Sequence, residues 1–94
     1  MRTIPGFKLR KLGNEYILVG ESMELINFNK KITLNETAAF LWEQAESLSA
    51  KLDGFTPSDL CKPLCNEYEV SPEQAMTDVE ATIHSWLDAG VIEA

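Results

Sequence analysis

Leu34-Asn35-Glu36-Thr37-Ala38-Ala39-Phe40-Leu41-Trp42-Glu43-Gln44-Ala45-Glu46-Ser47-Leu48 is where the chain changes period. Leu34, Ala38, Leu41, Trp42, Ala45 and Leu48 recur at intervals of three and four, the apolar stripe of an amphipathic helix. Asn35 suits the N-cap, because its side-chain oxygen can accept from a free amide one turn on, and Glu36 complements the positive end of the helix dipole. Phe40 falls off the stripe and faces a second neighbour. The pattern fades through Ser49-Ala50-Lys51-Leu52. Asp53-Gly54 then reads as a stop, with Gly54 available for the left-handed C-terminal position. The spacing predicts a helix from about Glu36 to Lys51.

Upstream the period is two. Phe7-Lys8-Leu9-Arg10 alternates, setting Phe7 and Leu9 on one face and Lys8 and Arg10 on the other. Gly13-Asn14 is a turn signal, and Glu15-Tyr16-Ile17-Leu18-Val19 is an aromatic and β-branched run, so the segment reads as a hairpin. After the break at Gly20-Glu21-Ser22, Met23-Glu24-Leu25-Ile26-Asn27-Phe28-Asn29 fits a third strand. Ile26 and Phe28 share one face of it, with Leu25, Asn27 and Asn29 on the other. A three-stranded meander leaves an edge that must be covered or used.

Downstream, Thr56-Pro57-Ser58-Asp59 pairs a Thr cap with Pro at the first helical position. Leu60, Cys61, Leu64, Cys65 and Tyr68 form the buried side of this second helix. Pro63 lacks an amide donor and presses on the carbonyl of Asp59, which predicts a kink or break. Ser71-Pro72-Glu73-Gln74 opens a third helix with a Ser cap and Gln in the capping-box place. Its stripe is Ala75, Met76, Val79, Ile83, Trp86 and Leu87. Gly90 ends it, and Val91-Ile92 fits a short terminal strand or tail. The order is α+β and winged-helix-like: a three-stranded antiparallel N-terminal sheet followed by three α-helices, one domain over residues 1–94.

Composition narrows the chemistry. In 94 residues there are 15 acidic and 8 basic side chains, a net charge of −7. One His and two Cys leave few ligands for a transition metal. Cys61 and Cys65 stand four apart on one helix face, a poor geometry for a disulfide, and read as buried structural thiols. His84 lies opposite the apolar stripe and reads as a solvated surface histidine. No nucleophile has an identifiable base and orienting group. The five glycines are spread as turn punctuation rather than gathered into a phosphate loop. Neither a signal-peptide core nor a membrane span is legible, which predicts a cytoplasmic protein without a membrane partner. The expectation is a non-enzymatic binding module with no cofactor and no metal.

The third helix of a winged-helix fold is the one that enters DNA in nucleic-acid binders. Here it carries Glu73, Asp78, Glu80 and Asp88 and no Lys or Arg, so phosphates would be repelled.

Three motifs resemble those of the coenzyme PQQ synthesis protein D (PqqD) family. Leu34 to Trp42 is similar to the "LNETAA" start of that family's first helix. Cys65-Asn66-Glu67-Tyr68-Glu69-Val70-Ser71-Pro72-Glu73-Gln74-Ala75 is similar to its "EYDVDPEEA" segment. Asp78-Val79-Glu80, with Trp86-Leu87-Asp88-Ala89-Gly90-Val91-Ile92, is similar to its "DVE…L…AGLI" ending. The resemblance spans about Tyr16 to Ile92. Two departures stand out: Glu43 to Lys51 is longer than the family usually has, and Pro63 interrupts a helix that is normally unbroken.

The resemblance implies a RiPP recognition element, which binds the leader of a ribosomally synthesised precursor peptide. Such a domain presents the peptide to a modifying enzyme, often a radical SAM protein. It implies strand addition beside strand three, in the groove between that strand and helix three. By position the edge is Leu25, Ile26, Asn27, Phe28 and Asn29, faced by Asp78, Val79, Thr82, Ile83 and Trp86. Val79, Ile83 and Trp86 equally fit a plain core, and Asp78 fits a solvated charge. The alternative classes are a winged-helix transcriptional regulator and a protein–protein scaffold subunit. The charge distribution predicts that an anisotropy titration with duplex DNA at ~150 mM salt shows no sequence-dependent binding, since only a basic footprint survives that screening. Sub-micromolar, sequence-dependent binding would exclude the peptide-recognition reading.

Overall fold

The computed structural model describes residues 1–20 and 32–94. Its elements run β1 (Arg2–Thr3), β2 (Phe7–Leu12), β3 (Glu15–Gly20), β4 (Ile32–Leu34), α1 (Glu36–Leu52), α2 (Pro57–Tyr68), α3 (Pro72–Ala89) and β5 (Ile92–Glu93). The strands β2, β3 and β4 form an antiparallel sheet in that order, and β1 pairs antiparallel with β5.

The β2–β3 hairpin follows the alternation of its sequence. Leu12 stands opposite Glu15 across the two-residue turn, with Gly13 at φ 63°, where a side chain would be strained. Phe7 and Leu18 point into the core, and Lys8 and Arg10 are exposed. The strand expected at Met23–Asn29 lies outside the described residues. The described third strand of the sheet is Ile32–Leu34, with Leu34 opposite Tyr16 and Ile32 opposite Leu18. Leu34, which matches the helix stripe by spacing, is therefore the buried end of a strand.

Each helix begins at the cap its sequence supplies. Asn35 accepts from the Ala38 amide at 2.7 Å, and Ser71 accepts from the Gln74 amide at 3.2 Å. Thr56 and Asp59 form a reciprocal capping box. The left-handed residue ending α1 is Asp53 rather than Gly54. Gly54 is needed for a different reason: a Cβ there would stand 2.8 Å from the Met1 carbonyl oxygen. That carbonyl accepts from the Phe55 amide, and the Met1 amine donates to the Phe55 carbonyl at 3.2 Å. The amino-terminal segment is thus laid against the α1–α2 turn, and Arg2 pairs with Glu93 across β1 and β5.

The core lies between the sheet and the helices. Leu18, Leu41, Trp42, Leu60, Leu64, Val79, Trp86 and Val91 are the largest of its fully buried side chains among the described residues. Trp42 of α1 and Trp86 of α3 meet edge to face, 5.3 Å between centroids and 89° between planes. Such a pair adds about 0.5–1.5 kcal/mol beyond area burial.

The break expected at Pro63 does not occur, and α2 continues through it. The box at its start and the burial of Leu60 and Leu64 on either side of Pro63 hold the helix together. The cost remains, since the Asp59 carbonyl loses an intrahelical donor. Pro63→Ala is expected to raise stability by about 1–3 kcal/mol, the helix-interior penalty of proline less its unfolded-state benefit. Urea denaturation measures this, and an unchanged midpoint would show that the helix has absorbed the proline without strain.

Candidate functional site

Leu34 is followed by one residue, Asn35, and then by α1. That single cap ties the end of the edge strand to the start of a helix. Across from it runs α3, and between the two lies an open groove of about 260 Å³. One wall is Thr33, Leu34, Asn35 and Ala38; the other is Ala81, Thr82, Ser85 and Trp86. Trp86 is almost wholly buried, so the part that lines the groove is its floor. None of the described lining side chains is charged. Among the described residues, β4 has a hydrogen-bonded neighbour on one side only, so its other edge faces the groove.

The residues expected at the site divide. Thr82 and Trp86 line the groove. The Thr82 hydroxyl donates to the Asp78 carbonyl at 2.8 Å, a bond within α3. Val79 and Ile83 belong to the core cluster. Asp78 is half-buried and does not line the groove; its carboxylate accepts from Gln74 Nε2 at 3.0 Å. Leu25, Ile26, Asn27, Phe28 and Asn29 lie outside the described residues. Ala81 and Ser85 are lining residues that the sequence reading does not single out. Ser85 stands three after Thr82 and four after Ala81, the helix-face spacing that could have found them.

The groove offers a strand edge unpaired among the described residues, small side chains and an aromatic floor. It can take an extended peptide by main-chain hydrogen bonds, with side chains set into the space over Trp86. Among its described lining residues no nucleophile is paired with a base. Among the described residues no group of three His, Cys, Asp or Glu could hold a metal ion. None of the described helices is long and apolar enough to cross a membrane. His84 is exposed, 3.5 Å from Asp88 on the outer face of α3.

Fold and groove together define a small α+β binding module with a strand edge set against a helix. The chain belongs to the Coenzyme PQQ synthesis protein D (PqqD) family, whose profile matches residues 16–92. Two solved structures are similar to it. TbiB1 in complex with the TbiA(beta) leader peptide superposes with a TM-score of 0.73 at 14% identity, covering 100% of this chain and 96% of that one. A lasso peptide synthetase B1 complexed with the leader peptide gives 0.69 at 25% identity, covering 99% and 96%. No match is found among curated proteins.

The two cysteines are free and half-buried, more open than the sequence reading expects. Their stripe packs against the edge of the core, and the Cys61 sulfur lies 3.7 Å from that of Met76. Burial pushes the Cys61 thiol above its ordinary pKa, and Cys65 and Glu80 add to the effect. The thiolate is the reactive form, so a raised pKa slows alkylation at a given pH. Iodoacetamide at pH 8, followed by mass spectrometry, is expected to label Cys61 more slowly in the folded protein than in urea. Equal or faster labelling when folded would identify an activated thiol.

Proposed function

We propose that this chain binds the leader of a ribosomally synthesised precursor peptide, without catalysing chemistry on it, and presents it to a modifying enzyme. The observation that supports the reading is the edge of Ile32–Leu34, unpaired among the described residues, beside a groove whose described lining is uncharged and floored by Trp86. Two proteins of like fold are leader-peptide complexes, and membership of the PqqD family points the same way. The leader adds as a strand beside β4. Its main chain supplies affinity and the space between Thr82, Ser85 and Trp86 supplies selectivity. The enzyme served is a peptide-modifying one, such as a radical SAM protein, and both act in the cytoplasm.

The test screens by calorimetry synthetic peptides made from the reading frames that neighbour this chain's gene. Ser85 is exposed, and Thr82 stands off the buried stripe. Ser85→Arg and Thr82→Arg are expected to leave the circular dichroism spectrum and the unfolding midpoint close to wild type. Each is expected to weaken the peptide at least about tenfold, equivalent to ~1.4 kcal/mol, by filling the groove. Methylating alternate leader amides is expected to weaken binding at every second position only, the signature of an added strand. Full affinity in both well-folded arginine variants would place the peptide elsewhere.

A further inference from the structure

The groove uses one face of the start of α1. The adjoining face holds a second concavity, of about 160 Å³, bounded by β3, α1 and the end of α2. Its lining is Tyr16, Glu36, Ala39, Phe40, Glu43 and Tyr68, none of which borders the leader groove. All three aromatic rings are half-buried, each packed on the core with part of its surface left open. Phe40, the residue off the α1 stripe, meets Tyr68 edge to face at 5.6 Å between centroids.

The concavity has a negative character. Glu36 and Glu43 are exposed on its rim, and neither is in a salt bridge with a described residue. The Tyr68 phenol is held above its usual pKa, first by desolvation and then by the carboxylates of Glu36 and Glu67 and by Tyr16. At Tyr16 a cation is already accepted: the Lys11 ammonium lies 5.6 Å from the ring centroid. Aromatic faces attract cations, and carboxylates on the same rim add charge-assisted hydrogen bonds. The complementary group is a cation on an apolar stem.

We propose that Tyr16, Phe40 and Tyr68, with Glu36 and Glu43, form a docking site for an arginine or lysine side chain of a folded partner, the enzyme that acts on the bound peptide. Only the identity of that partner rests on the leader-binding reading. The leader itself does not reach this site while it occupies the groove. An added strand lies about 4.8 Å beyond β4, whereas Tyr16 sits on β3, the same spacing to the other side. Peptide and enzyme therefore engage different faces of α1 and bind together.

The test is an NMR titration of the full chain with N-acetyl-arginine amide and N-acetyl-lysine amide, with N-acetyl-glutamine amide as the neutral control. Saturable shifts centred on Tyr16, Phe40 and Tyr68 are expected with the two cations and not with the control. The combined Glu36→Gln and Glu43→Gln variant is expected to weaken them about fivefold or more. So is Phe40→Leu, which keeps an apolar side chain on the core. An enzyme that modifies the bound leader is expected to lose a similar factor in affinity for both variants, while the leader affinity stays unchanged. Cation shifts spread over the surface, shifts that persist in the double variant, or an enzyme affinity indifferent to both changes would overturn the proposal. Leader affinity falling in step would overturn it too, by placing this concavity on the leader's path. Cation binding intact in a protein that binds no leader would count against the leader reading and for this site.

Discussion

The contact of Trp42 with Trp86 is the constraint on which the rest of the structure depends. It holds α1 against α3 through two rings that are 0% and 1% exposed. Because a single residue separates α1 from β4, anything that fixes α1 also fixes the end of the edge strand. The distance between that strand and α3 is therefore decided in the core. Trp86 serves both sides of the arrangement, packing on Trp42 within and flooring the groove without. Among the described residues the buried Trp42 indole nitrogen makes no hydrogen bond of full geometry, only a weak one toward the Glu46 carboxylate. One turn along, burial raises the pKa of the Glu46 carboxyl, an effect that the Trp42 indole and Lys8 offset in part.

The run from Thr33 to Ala38 then acquires a physical meaning beyond helix initiation. Thr33 and Leu34 end the strand, Asn35 caps the helix, and Ala38 is both the amide that Asn35 accepts and a groove wall. A longer linker would let β4 drift from α3, and a bulkier residue at position 38 would narrow the opening. The cap is therefore a positioning device for the site as well as a helix signal.

Much of the fold is legible in the sequence because caps and periods are local. The hairpin, the three N-caps and the Gly90 stop depend on near neighbours, and each lies where its residues put it. What is not legible depends on distant ones. Ile32–Leu34 is too short to show an alternation, and Leu34 fits the helix stripe equally well by spacing. Arg2–Thr3 becomes a strand only because the chain's other end, Ile92–Glu93, lies beside it. Within the site, Thr82 and Trp86 come from the family resemblance, since the periodicity of α3 alone reads Trp86 as core. Ala81 and Ser85 matter because they are small, and a small polar or apolar residue on an exposed face carries no signal of its own.

Charge separates this use of the fold from its nucleic-acid use. Twelve of the fifteen acidic residues fall at or beyond Glu36, and six of the eight basic ones fall before Asn35. A helix bearing Glu73, Asp78, Glu80 and Asp88 cannot approach a phosphate backbone without repulsion, because such binding is built from cationic side chains. A peptide backbone makes no such demand. It is recognised by the amides and carbonyls of a strand edge, which every sequence carries, and by a groove whose described lining here carries no charge.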